Sequence, residues 1–171
     1  MSELDTFVAL FMAMLAVAAL VGGAIYSIIA YKVKRDVMSL ARVQHHRTMA
    51  TLNTESGYGY WRDYEDTKRK GKKKINKLNQ AIKRTKRAYE DHDRQLDEQE
   101  PENEQLICWI RNNLAYYLAE RKRCNKSEEG DDALAQECAK YIYKKIPKYP
   151  EKKRDYTDTY HFVQKQFNNN P

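Results

Sequence analysis

Three cysteines, four prolines and six glycines are all that this chain of 171 residues holds of those types. Cys108, Cys124 and Cys138 have no C-x-x-C spacing. On one helix Cys108 and Cys124 would stand about 24 Å apart by rise alone, so they read as reduced, buried thiols rather than a disulfide framework. His45 and His46 are adjacent, and on a helix neighbours point about 100° apart, too far to chelate one ion. His92 and His161 stand alone among charged or aromatic residues. The chain also lacks the glycine-rich phosphate loops, H-E-x-x-H and G-x-S-x-G. Its acid pairs at 90–91, 97–98, 128–129 and 131–132 fall in hydrophilic stretches, where solvated faces are commoner than catalytic dyads. The expectation is therefore no enzyme, no catalytic residue, no metal or other cofactor, and no small-molecule substrate.

A different absence organises the chain. Phe7–Tyr31 is 25 residues without one charge, its polar groups being Ser27 and the hydroxyls of Tyr26 and Tyr31. A helix of that length rises about 37 Å, enough to cross a hydrocarbon core of about 30 Å, and in lipid only a helix satisfies its backbone. The leader at 1–6, MSELDT, has Glu3 and Asp5 but no Lys or Arg. A signal peptide would start basic and carry a shorter apolar core. The segment at 7–31 is thus expected to be an uncleaved transmembrane helix. Lys32, Lys34, Arg35, Arg42 and Arg47 all follow it, which puts the N-terminus outside and the C-terminus inside by the positive-inside bias. Ala16, Ala19, Gly23, Ser27 and Ala30 form a small-residue stripe along the span, the pattern that lets another helix approach closely in lipid.

The first 31 residues carry −2 of side-chain charge, so the remaining 140 carry +9 of a total of +7. That portion is rich in Tyr and poor in Leu, Ile and Val, which argues for extended helices that complete their packing on a neighbour. Residues 32–52 continue as a juxtamembrane amphipathic helix near anionic headgroups. Asn53–Gly59 (NTESGYG) signals a turn within an aromatic linker at 53–64. Tyr58, Tyr60, Trp61 and Tyr64 there suit either partner docking or a local hydrophobic cluster.

A charge-segregated helix is expected over 65–100, weakened at Gly71. Lys68–Arg87 holds 11 basic residues and no acid; Glu90–Glu104 holds 8 acids against Arg94 alone. Ile75, Ile82, Tyr89 and Leu96 recur as a heptad seam whose other position, Leu78, Thr85 and His92, turns polar, so an autonomous coiled coil is not expected. Lys68, Arg69, Lys70, Lys72, Lys73 and Lys74 are the candidate contacts for anionic lipid headgroups or an acidic partner. Nucleic acid is a possible ligand but not the favoured one, because no recognised binding motif accompanies the run, and a solvated helix face fits equally.

Pro101 should end that helix. A helical hairpin is expected over 102–146, its first arm carrying Leu106, Ile107, Ile110, Leu114, Tyr117 and Leu118 at spacings of three and four. Its second arm, capped by Asp131 or Asp132, carries Leu134, Cys138, Tyr141 and Ile142. The aromatic tail at 147–171 keeps Tyr156, Tyr160, Val163 and Phe167 at helical spacing, as a short docking helix or an extended strap. Tyr156, Tyr160 and Phe167 join Tyr58, Tyr60 and Trp61 as candidate partner-docking residues.

The fold class expected is all-α: one N-terminal transmembrane helix, extended charged helices, and a short C-terminal helical hairpin. The layout is similar in kind to accessory single-pass subunits of respiratory and ATP-synthase complexes, and in outline to peripheral-stalk proteins. That likeness implies a non-catalytic subunit that stabilises or helps assemble a large membrane complex, with integral membrane subunits as partners and the mitochondrial inner membrane as its place. A membrane tether for nucleic acid or ribosomes through 68–87, and a homo-oligomeric stalk, are the alternatives.

Overall fold

The computed structural model describes residues 3–67 and 71–168. Among these the chain is all-helical: α1 (Glu3–Asp66), α2 (Lys72–Gln95), α3 (Pro101–Arg123), α4 (Asp131–Lys145), a 3-10 turn (Pro150–Lys152) and α5 (Lys153–Phe167). Contacts divide it into two units, Met1–Val43 and Gln44–Pro171.

The first unit consists of the N-terminal part of α1. Its large apolar side chains from Phe7 to Tyr31 are all more than half exposed, and so are Val33, Val37, Met38 and Leu40 beyond them.

The second unit is built around α3. Leu106, Ile107, Ile110, Leu114, Tyr117 and Leu118 are all buried, as the apolar spacing requires, but so are Asn103, Glu104, Arg111, Glu120 and Arg121 on its other faces. What reads as an amphipathic helix in sequence is a central helix whose charges are enclosed and paired. Trp61 and Tyr64 from α1, Leu78, Ala81 and Ile82 from α2, Ala135, Cys138 and Ala139 from α4, and Val163 from α5 close the main core around it. Ala50, Ala88, Leu96 and Ile110 form a second cluster. Cys108, Ile142, Tyr149 and Tyr156 form a third.

This portion thus has a core of its own, contrary to the expectation that it finishes its packing on a neighbour. The shortage of aliphatic residues is met by aromatics, which bury about 150–250 Å² each, and by alanines that let helices approach closely.

The turn expected at Asn53–Gly59 is absent; α1 runs through it to Asp66. Two glycines in a helix interior cost about 1 kcal/mol each relative to alanine, so packing must offset them. Asn53 and Thr54 are buried, and the Thr54 hydroxyl donates to the Ala50 carbonyl at 2.8 Å. A Cβ on Gly57 would lie 2.4 Å from Thr85 Oγ1 and 3.2 Å from the Ala81 carbonyl. Gly57 is there for the close approach of α2, not for a turn. The break comes instead at Gly71, whose φ of +114° favours glycine and whose carbonyl accepts from the Lys74 and Ile75 amides at the start of α2.

Pro101 opens α3 rather than closing α2, which ends at Gln95; a proline at the first helical position loses no hydrogen bond. Neither Asp131 nor Asp132 is the cap of α4. Gly130, at φ +82°, holds that position, and the Asp131 carboxylate is turned to Arg121. The tail forms a helix of 15 residues, longer than expected, because burial of Tyr156, Thr159 and Val163 supplies what the isolated segment lacks.

Two measurements check this fold. Residues 44–171 expressed alone should be monomeric and unfold cooperatively; a broad, featureless melt would contradict an independent core. Gly57→Val should destabilise them by about 1–3 kcal/mol through overpacking against Thr85, read by urea unfolding.

Candidate functional site

The span carries the first group of candidates. Ala16, Ala19, Gly23, Ser27 and Ala30 are all exposed, with the Ser27 hydroxyl donating to the Gly23 carbonyl at 2.8 Å. That bond satisfies, within the helix itself, the hydroxyl of the only non-tyrosine polar side chain at 7–31. A Cβ placed on Gly22 or Gly23 would meet nothing within 4 Å, so the backbone there is open to a second helix.

Of the basic run, Lys68, Arg69 and Lys70 lie outside the described residues. Lys72 and Lys73 are exposed at the start of α2. Lys74 is instead half-buried, its Nζ 4.6 Å from the centre of the Tyr64 ring, and Lys77 is 2.7 Å from Asp63. Among the described residues of the run, Lys72 and Lys73 face outward, whereas Lys74 and Lys77 tie α2 to the end of α1.

The aromatic candidates divide in the same way. Trp61 and Tyr156 are core residues, with Trp61 stacked between Tyr64 at 5.0 Å and Tyr117 at 4.9 Å. This chain itself covers them, so they are closed to a partner. Tyr160 is half-buried and stacks on Tyr143 at 4.4 Å; Phe167 is half-buried under Lys122. Tyr60 is half-buried beside Lys77, and Tyr58 remains 47% exposed. The local hydrophobic cluster is the arrangement found at 58–64, with Tyr58 as its open edge.

Sequence reasoning missed the buried ionic groups. Glu104 accepts from Lys145 Nζ at 2.6 Å, from the Tyr149 hydroxyl at 2.7 Å and from Lys148. Burial works to raise its carboxyl, but those three donors outweigh it and hold the group at about 2. Glu120 takes both arms of Arg123, at 2.7 and 2.6 Å, and the Tyr64 hydroxyl. Burial, then the hydrogen bonds to Cys124 and Glu120, push that phenol far up. Arg121 is clasped by Asp131 and by Glu128 at 2.9 Å, closing the loop between α3 and α4. Arg111 lies 4.1 Å from the centre of the Tyr141 ring and 3.5 Å from Glu137. The signal was in the sequence, as charges interleaved with the apolar positions of α3.

The buried carboxylates of Glu104, Glu120 and Asp131 are each held by cations or phenols of this chain. Cys108 and Cys138 are buried and Cys124 half-buried, none in a disulfide. Burial, before any neighbouring charge, pushes the Cys108 thiol up to about 11, the opposite of an activated nucleophile. Among the described residues no three His, Cys, Asp or Glu side chains converge as a metal site. Comparison with protein-family models, curated proteins and solved structures finds no match to this chain.

Glu104 gives a pH test. Its folded value lies below the ordinary 4.5, so its stabilisation is present above about pH 4.5 and is lost as pH falls toward about 2. Glu104→Gln should cost about 2 kcal/mol near pH 7, at the low end for a buried ion pair because both lysines reach solvent. The difference in melting temperature from wild type should close as pH drops below 4.5. Equal melting at pH 7 would contradict the assignment.

Proposed function

We propose that this chain is a non-catalytic, single-pass accessory subunit that stabilises or helps assemble a multi-subunit membrane complex. The observation that carries the reading is the segment of α1 at 7–31, long and apolar enough to cross a membrane and exposed along its length. An apolar surface of that extent is not left to water; a bilayer and a neighbouring helix cover it in this proposal, the neighbour lying along Ala16, Ala19, Gly23, Ser27 and Ala30.

The basic residues Lys32, Lys34, Arg35, Arg42 and Arg47 after the segment support an inner side for the folded helical unit, by the positive-inside bias. The internal pairing of its buried charges supports a scaffold rather than a catalyst. Because that unit closes its own core, it meets the complex as a preformed block, and the span makes the obligatory contact. A respiratory or ATP-synthase complex of the mitochondrial inner membrane is the setting proposed from the layout.

Alkaline carbonate should leave the full-length chain in its membranes; release would end the proposal. Purification from the source membrane in mild detergent should recover it with other integral subunits at fixed stoichiometry, and Gly23→Leu should weaken that association at least tenfold. Recovery as a lone monomer would refute the accessory role. Recovery as a homo-oligomer that Gly23→Leu disperses would favour a self-assembling stalk instead.

A further inference from the structure

A groove of about 260 Å³ lies within the folded unit, between the end of α1, the middle of α3 and the start of α5. Tyr117 lines it, only 2% exposed, and its hydroxyl has no hydrogen-bond partner in the protein. Asn112 Oδ1 and Asn113 Nδ2, on residues of the same helix that also line the groove, are buried and equally without a partner. Three such atoms in one place are unusual, since an unsatisfied buried polar group costs about 1–3 kcal/mol. Glu65, Asp155 and Asp158 line the same groove and are exposed. In a chain of net charge +7, this is a local reversal of sign. Arg154 lies 3.7 Å from Asp158, in an exposed pair that competes little.

The polar groups specify what fits. Burial first, then the proximity of Tyr58 and Glu65, raises the Tyr117 phenol, so it stays a neutral hydroxyl. Asn112 Oδ1 and the carboxylates accept hydrogen bonds and therefore ask for a ligand rich in N–H donors. Asn113 Nδ2 donates and asks for an acceptor on the same ligand, which a simple polyamine lacks and a peptide carbonyl supplies. Tyr58 and Tyr116 offer apolar area to a methylene stem. The volume falls below the roughly 300–1,000 Å³ of small-molecule sites and suits a single side chain. Two adjacent carboxylates on α5 match the planar fork of a guanidinium better than a point-charge ammonium.

We propose that this groove binds an arginine side chain presented by a polypeptide partner, with Asp155 and Asp158 gripping the guanidinium and the buried Tyr117, Asn112 and Asn113 groups pairing with its N–H and backbone carbonyl. The site does not depend on the membrane reading, and it gives Tyr58, the open edge of the aromatic cluster, a docking role.

The test uses the full-length chain in neutral detergent and acetylated, amidated Gly-Arg-Gly, with binding read by saturation-transfer NMR. A single side chain should bind with a Kd in the millimolar range. The lysine peptide should bind about threefold more weakly. The citrulline peptide, neutral and of the same shape, and spermidine should bind at least tenfold more weakly. Asp155→Asn with Asp158→Asn should reduce affinity about tenfold at unchanged melting temperature, since both side chains are exposed. Tyr117→Phe should weaken binding while leaving the fold as stable as wild type or more so. Absence of saturable binding at 10-fold the expected Kd, binding indifferent to the Asp155 and Asp158 changes, or equal binding of citrulline or spermidine would each overturn the proposal. A Tyr117→Phe protein that melts lower would show that the hydroxyl already has a partner and would overturn it as well.

Discussion

The folded unit depends on the enclosure of charge along α3. A central helix in a small bundle is touched on nearly every side, and a wholly apolar one would leave little to distinguish one arrangement of neighbours from another. Here Glu104, Arg111, Glu120 and Arg121 are buried in it, each with partners from a different direction. Glu104 reaches the end of α4 and the turn beyond it. Arg111 lies among Tyr89, Tyr141 and Glu137; Glu120 meets Tyr64 of α1; Arg121 clasps the first residue of α4. Buried ion pairs add little net stability against apolar replacements, but a mispacked neighbour would leave one of these groups stranded. Their effect is to fix which helix lies where.

Tyrosine has a matching part. With few branched aliphatics, the interior is filled in part by rings whose hydroxyls reach buried carboxylates: Tyr64 to Glu120 and Tyr149 to Glu104. Burial and those acidic neighbours keep the Tyr64 and Tyr149 phenols protonated. The core is therefore polar at its seams and apolar between them. The same residues that lower the hydropathy of the chain hold its interior together.

The helical character, the apolar span and the residues of α3 that face the core were legible in the sequence, because spacing and the absence of charge bear directly on them. The continuation of α1 through NTESGYG was not. Gly57 carries the local signature of a turn, and only the position of Thr85, 28 residues later, reveals it as a contact. Pro101 misled for a related reason: a proline stops the helix before it or starts the one after it, and the residues around it permit both. The roles of Trp61 and Tyr156 needed the tertiary fold, since an aromatic knot looks the same whether a partner or the chain itself covers it. The groove at Tyr117 was hidden altogether. Asn112 and Asn113 are ordinary helix-surface residues until α1 and α5 are laid against them.

The hydrogen bond from Tyr64 to Glu120 joins residues 56 apart in the chain. During synthesis at about 5–20 residues per second, the end of α1 emerges several seconds before the helix it must pack against. Over that interval Trp61 and Tyr64 are without their core, at the close of a segment whose beginning has no affinity for water. The order of emergence thus makes assembly of the bundle an event that waits for α3 and the helices after it.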